Sequence, residues 1–373
     1  MNINDTVIKY DEKVIFALRE LYSRYGYSQY KMSKFEEYDL YVRNKDFLIS
    51  DGVITFTDTN GRLMALKPDV TLSIIKSSRD IEGFVQKFYY NENVYRVSDR
   101  THSYKEIMQV GLECIGDIDE YSVCEVVSLA AKSLTAIDKN ALLDISHLGI
   151  LSAVFDYAGI ADVAKGEVMR LVGEKNSHEL SILLSDLGIE AEKAELIKAL
   201  VGIYGRPAEV IEKLRSMLRG KIDTSDIDLL EDVIESLDKE LSDIVRIDFS
   251  VISDIKYYNG IVFKGFIGGI PQSVLSGGQY DRLMKKMQKG SGAVGFAVYL
   301  DMLERRLSDA RKYDVDTVIV YSGNTDTAIL KEAVEKYSRE GSVCVQRSIP
   351  ARYSCKRVVT ISDGEVVSVE DRA

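Results

Sequence analysis

A chain of 373 residues, 46% apolar and 29% charged, has an ordinary soluble globular composition and is too long for one average domain. No run of about 18 apolar residues exists and the N-terminus is polar and acidic, so neither a membrane span nor a secretory leader is expected. The net charge of −11 weighs against nucleic acid as the main partner, because gripping phosphates takes a basic surface.

Along the chain, Val14, Ile15, Leu18, Leu21 and Tyr22 recur at spacings of three and four, which predicts an amphipathic helix over residues 8–25. After Gly26 the pattern turns irregular. Val53–Asp58 and Arg62–Lys67 then flank Thr59-Asn60-Gly61, a strong short-range hairpin signal. Strand patterns recur at Gln86–Arg96 and Glu106–Gly116, and a helix is expected over Ser122–Ala136. Residues 150–243 read as an almost wholly helical insertion. Within it, Pro207 opens and Gly220 closes one helix, and Ile227, Leu230, Ile234, Leu237 and Leu241 form one helix face. Strands return at Val245–Val251, Ile261–Phe266 and Gln272–Leu275, and Val294–Arg306 reads as a buried strand or helix. A last unit of about 60 residues carries a strand (Thr317–Tyr321), a helix (Thr325–Arg339), a second strand (Ser342–Gln346) and a hairpin around Asp363-Gly364. The expectation is an α+β fold. It has a mainly antiparallel sheet with flanking helices over residues 1–310, the helical insertion inside it, and a small α/β unit over 311–373.

Cys114, Cys124, Cys344 and Cys355 form no closely spaced pair and the three histidines lie far apart, so no metal site is expected. Cysteines this sparse suit reduced thiols in a cytoplasm.

Four separated segments carry the chemistry: LKPDVT (Leu66–Thr71), QVGLECIG (Gln109–Gly116), KYYNGIVF (Lys256–Phe263) and SGGQYDRL (Ser276–Leu283). On a strand, Gln109, Gly111 and Glu113 share one face, and the glycine would leave room for a ligand between amide and carboxylate. Tyr257 and Tyr258 offer ring walls and hydroxyls, and Gly277-Gly278 would let a ligand approach backbone closely.

In this order and spacing the four segments resemble the catalytic domain of histidyl-tRNA synthetase, a class II aminoacyl-tRNA synthetase. That resemblance implies a histidine pocket. Asp69 stands where the family's LRPEGT segment has a carboxylate that meets the substrate's ammonium group, Thr71 at the matching hydroxyl position, and Tyr257 and Tyr258 at the paired tyrosines of RGLDYYTG. Arg96 matches the family's first activation arginine, and Gln109 and Glu113 complete the histidine-binding set.

The activation groups are not kept. Ser98 stands where an acidic residue is expected, Ser253 replaces the arginine and Lys256 the aspartate of RGLDYYTG, and Met302 replaces a late arginine. Arg282, Arg305 and Arg306 are off register. Adenylate formation rests on cations at the developing charge, so losing two of three should cost several kcal/mol and abolish activation. No catalytic residue and no cofactor is therefore assigned. A retained pocket with lost activation chemistry and a shortened tail resembles the regulatory subunit of ATP phosphoribosyltransferase. Membership there implies a short-form catalytic subunit as partner, L-histidine as feedback ligand, and a homodimer within a hetero-octamer. A divergent histidyl-tRNA synthetase, or another amino-acid-binding paralogue, is the alternative. Within the expected dimer, Tyr27, Tyr30, Met32, Phe35, Tyr38, Leu40 and Tyr41 make an aromatic stretch suited to the interface.

Overall fold

The computed structural model describes residues 8–44, 52–98, 102–252, 257–304, 313–322 and 324–372. It divides into two compact units, Met1–Leu303 and Glu304–Ala373. The first begins with α1 (Tyr10–Arg24), which buries the expected stripe of Val14, Ile15, Leu18 and Tyr22. Short elements follow: β1 (Ser28–Gln29), β2 (Phe35–Glu37), α2 (Tyr38–Arg43), β3 (Thr55–Thr57), β4 (Leu63–Leu66) and α3 (Thr71–Ser77). The hairpin between β3 and β4 turns at Gly61, whose φ of +80° suits glycine.

Two 13-residue strands, β5 (Val85–Val97) and β6 (Tyr104–Gly116), pair antiparallel along their full length. α4 (Glu120–Ile137) starts at Asp119, whose carboxylate accepts the Ser122 N–H at 2.8 Å, a side-chain cap. β7 (Leu142–His147) has no counterpart among the expected elements.

The helical block then runs α5 (Leu148–Ala158), α6 (Asp162–Gly173), α7 (Ser177–Asp186), α8 (Ala191–Val201), the two-residue β8 (Tyr204–Gly205), α9 (Pro207–Leu218), α10 (Ser225–Glu235) and α11 (Lys239–Ser242). Pro207 is the first residue of α9, and Gly220 follows it at φ +72°. The apolar series from Ile227 to Leu241 is not one helix. The chain breaks after α10 and restarts at Asp238, so Leu237 and Leu241 reach the same core from separate pieces.

β9 (Val245–Asp248), β10 (Ile261–Phe266), β11 (Leu275–Gln279), α12 (Asp281–Lys286), β12 (Gly292–Tyr299) and α13 (Asp301–Glu304) complete the unit. Its nine-stranded sheet has the order β1-β5-β6-β12-β11-β10-β7-β9-β8. Every pairing is antiparallel except β1 with β5 and β7 with β9, as expected of a mainly antiparallel sheet. β2, β4 and β3 form a separate three-stranded sheet.

One face of the large sheet packs on α1 and α4 through Tyr22, Leu112, Cys114, Val126 and Leu129. The helical block shares this core, through residues such as Leu151, Leu200 and Leu230, so it is an extension of one core and not a separate body. Each such side chain contributes about 1.5–3 kcal/mol by leaving water. The opposite face carries a smaller cluster of Tyr41, Leu72, Ile75, Tyr90, Ile115, Tyr257, Tyr280 and Leu283. This second face holds Gln109 and Glu113 of β6.

The aromatic stretch expected at a dimer interface is mostly inside its own subunit. Tyr27 and Tyr41 are buried, Tyr30, Met32, Tyr38 and Leu40 are half-buried against the smaller cluster, and Phe35 alone of the set is exposed. Phe35 pairs edge-on with exposed Phe56 at 5.3 Å between ring centroids, with Val42 and Leu63 also exposed.

The second unit carries β13 (Val315–Tyr321), α14 (Thr327–Tyr337), β14 (Val343–Gln346), β15 (Cys355–Ser362) and β16 (Glu365–Asp371). Its sheet order is β14-β13-β15-β16, with parallel pairs around β13 and the hairpin of β15 and β16 turning at Asp363-Gly364.

Candidate functional site

Strand register assembles the floor of the site. On β6, Glu113 lies opposite Phe88 and Gly295, Gly111 opposite Tyr90 and Ala297, and Gln109 opposite Glu92 and Tyr299. Directly opposed residues share a face, so three strands present these groups together. The turn leading into α3 supplies the roof. Thr71 donates its hydroxyl to Glu113 Oε1 at 2.6 Å, and Tyr280, just past β11, donates its hydroxyl to Glu113 Oε2. Asp69 accepts the Leu72 N–H at 2.9 Å, which holds its carboxylate at the start of α3. Arg96 donates from Nε to the Pro68 carbonyl at 3.0 Å, fixing the same turn.

Burial governs the electrostatics. Glu113 is 2% exposed, and loss of water pushes its carboxyl up to about 8, against the hydrogen bonds from Thr71 and Tyr280. The nearby charge of Asp69 adds to the rise. Burial also raises Asp69 above the usual carboxylate range, opposed by the Leu72 N–H and by Arg96. Lys67, 1% exposed, is ion-paired with Glu92, and the charge acting on Glu113 is that of Asp69. Two acidic groups in one dry site, with Arg96 acting on Asp69 alone, suit a ligand that brings positive charge to Glu113.

Aromatic rings close the walls. The Tyr257 and Tyr258 centroids are 4.6 Å apart and Tyr257 lies 5.6 Å from Tyr280. Burial holds the hydroxyls of Tyr90, Tyr257, Tyr258 and Tyr280 protonated, well above the usual phenol range. They are therefore hydrogen-bond donors throughout the physiological range.

The structure places Asp69, Thr71, Arg96, Gln109, Glu113, Tyr257 and Tyr258 around one face of the sheet. Thr71 and Glu113 touch, and Tyr257 packs on Tyr258. Arg96 works on the turn that holds Asp69. Gln109 is buried at 4% exposure and makes no side-chain hydrogen bond among the described residues.

The glycines differ from expectation. A methyl group on Gly111 would lie 2.5 Å from the Tyr90 hydroxyl, so the space thought open to a ligand holds a tyrosine of the chain itself. Gly278 likewise makes room for the Tyr258 ring, 2.8 Å from such a methyl, and Gly277 for Phe296. Gly295 clears the Glu113 carboxylate, which would be 1.9 Å away. Sequence reasoning passed over Tyr90, Tyr280 and Tyr299. Tyr280 stood in a segment already singled out; Tyr90 is detectable only once β5 is registered on β6.

Among the activation positions, Ser98 caps the hairpin between β5 and β6 by donating its N–H to the Ser103 carbonyl at 2.9 Å. Met302 packs against the main core. Ser253, Lys256, Arg305 and Arg306 lie outside the described residues. No group of three or more His, Cys, Asp or Glu suited to a metal ion is present among the described residues, and no helix there is long and apolar enough to cross a membrane.

A mainly antiparallel sheet with this pocket on one face and an α4-type helix behind it defines a class II aminoacyl-tRNA synthetase-like protein. The histidyl-tRNA synthetase family matches residues 4–303, and the chain belongs to that family. The ATP phosphoribosyltransferase regulatory subunit of Oceanobacillus iheyensis is 29% identical over 294 residues, covering 78% of this chain and 72% of the relative. A crystal structure of an ATP phosphoribosyltransferase regulatory subunit/histidyl-tRNA synthetase from Bacillus halodurans superposes with a TM-score of 0.74 at 22% identity, covering 96% of this chain and 97% of that one. A chain of the ATP phosphoribosyl transferase (HisG:HisZ) complex from Thermotoga maritima superposes with a TM-score of 0.62 at 19% identity, covering 79% and 98%. These two superpositions establish the fold.

Proposed function

We propose that this chain is the non-catalytic regulatory subunit of ATP phosphoribosyltransferase, needed for the first step of histidine biosynthesis and for its feedback inhibition. The observation that carries this is a dry site with two acidic groups and four tyrosines, in a chain whose Met302, half-buried against the main core, stands where an activating cation is expected. The names of curated relatives support the same reading.

In this reading L-histidine binds with its ammonium group toward Asp69 and Glu113, Thr71 and Gln109 adding polar contacts and Tyr257 and Tyr258 flanking the ring. The incoming cation draws Glu113 into its charged form, so binding releases a proton near neutral pH. A partner, the short-form catalytic subunit, performs the transfer. Histidine acts by favouring one global state of the assembly, a coupling of typically 1–3 kcal/mol. The chain works as a homodimer inside a hetero-octamer, in the cytoplasm, with no nucleic-acid partner. The exposed Phe35–Phe56 patch is the natural contact between copies. Residues 311–373 correspond to an abbreviated anticodon-binding unit.

Calorimetry with L-histidine on the purified chain, alone and with its catalytic partner, tests the pocket. Binding that disappears in Glu113→Ala supports it; binding unchanged in that variant places the ligand elsewhere. ATP–pyrophosphate exchange with histidine separates this reading from a divergent synthetase.

A further inference from the structure

Tyr280 is flanked by two residues that grip the turn bearing the paired tyrosines. On one side, the Gln279 side-chain oxygen accepts the Ile261 N–H at 2.9 Å, and its backbone carbonyl accepts the Asn259 N–H at 3.1 Å. On the other, Asp281 Oδ2 accepts the Asn259 side-chain amide at 3.0 Å, while Oδ1 accepts the Ala293 N–H at 2.9 Å. Gly260 is packed so tightly over this grip that a methyl group there would sit 2.0 Å from the Gln279 side-chain oxygen. The middle residue of the triplet, Tyr280, meanwhile donates to Glu113 and packs against Tyr257.

We infer that Gln279 and Asp281 are positioning residues for the ligand pocket, a clamp that sets Tyr257 and Tyr258 against Glu113 without touching the ligand. The inference rests on the proposed histidine pocket and adds what holds its walls. Physically, the turn has no regular secondary structure between Tyr257 and Ile261; the Gly260 carbonyl accepts the Leu148 N–H at 2.9 Å on one side, and the bonds to Gln279 and Asp281 restrict it on the other. Rings held by two hydrogen-bonded anchors lose less freedom when a ligand arrives, which raises affinity without adding a contact.

The test compares L-histidine binding by calorimetry, alongside thermal midpoints, in the full chain and in Gln279→Met, Gln279→Glu, Gly260→Ala and Glu113→Gln. Gln279→Met removes the acceptor at similar volume and is expected to weaken binding about tenfold, the scale of one lost hydrogen bond. Gln279→Glu keeps an acceptor oxygen and should restore affinity. Gly260→Ala displaces the same side chain, so the double variant Gly260→Ala/Gln279→Met should be no weaker than either single one, the mark of one shared interaction. Affinity unchanged in Gln279→Met, with wild-type binding intact and lost in Glu113→Gln, overturns the clamp alone. Equal losses in Gln279→Met and Gln279→Glu that track the fall in thermal midpoint also overturn it, because the effect is then general destabilisation. Wild-type binding that survives Glu113→Gln unchanged overturns the pocket reading instead.

Discussion

Glu113 makes the stability of this protein depend on pH in a direction opposite to that of an ordinary surface carboxylate. Its carboxyl rises from 4.5 to about 8 on folding because burial outweighs the hydrogen bonds from Thr71 and Tyr280. Each tenfold change in proton affinity is worth about 1.4 kcal/mol, so the whole rise corresponds to roughly 5 kcal/mol. The folded state binds this proton more tightly than the unfolded chain does. The contribution is therefore fully present below pH 4.5 and is lost as pH climbs toward about 8. Glu113→Gln keeps the size of the side chain and removes the titration. It also gives Thr71 and Tyr280 one good acceptor in place of two, a pH-independent penalty of about 1 kcal/mol. Urea denaturation of both proteins at steps from pH 5 to pH 9, without histidine, isolates the effect in the difference of midpoints. The variant should be slightly less stable at pH 5 and more stable than wild type by several kcal/mol at pH 9. A difference that stays flat within about 1 kcal/mol across that range would refute the assignment of a dry, unpaired carboxyl at this position.

Other outcomes follow from the same geometry. Gly295→Ala should push the Glu113 carboxylate out of its seat and abolish histidine binding by calorimetry, because the new methyl would lie 1.9 Å from Oε2. Wild-type affinity there would mean the carboxylate is not a ligand contact. The chain alone should give no histidine-dependent ATP–pyrophosphate exchange, since Met302, packed against the core, stands where a cation is expected; turnover at synthetase rates would restore the enzymatic reading. Phe35→Glu should lower the mass seen by light scattering from dimer toward the 41.9 kDa monomer by placing charge on the exposed Phe35–Phe56 patch. A variant still dimeric at micromolar concentration would move the interface elsewhere.

Much of the frame was legible because it is written in local chemistry. The turns at Asn60-Gly61 and Asp363-Gly364 needed positive φ and had glycine to supply it. α9 opens on Pro207, and β5 and β6 show as strand-like runs of β-formers. β7 escaped because its six residues, LLDISH, mix apolar and polar groups in a pattern that a helix start also fits, and α5 follows at once. The break at Asp238 escaped because Leu237 and Leu241 keep helical spacing across it. In the site, Gln109 and Glu113 share one face of β6 as their alternation implies, and Thr71, marked through the resemblance, reaches Glu113 from a separate segment. Tyr90 was not, since its place over Gly111 is a matter of register between two strands. The glycines were recognised as positions of close approach, but what approaches them is the chain's own Tyr90, Tyr258 and Glu113.

The most direct test of the central claim is reconstitution. The purified chain is mixed with a short-form ATP phosphoribosyltransferase catalytic subunit from its own organism, and phosphoribosyl-ATP formation is followed with and without L-histidine. The account predicts that the chain raises the rate of the catalytic subunit, that histidine then inhibits the mixture, and that Glu113→Gln blunts the inhibition while leaving the activation. A catalytic subunit whose rate and histidine response are the same with and without the chain would contradict it.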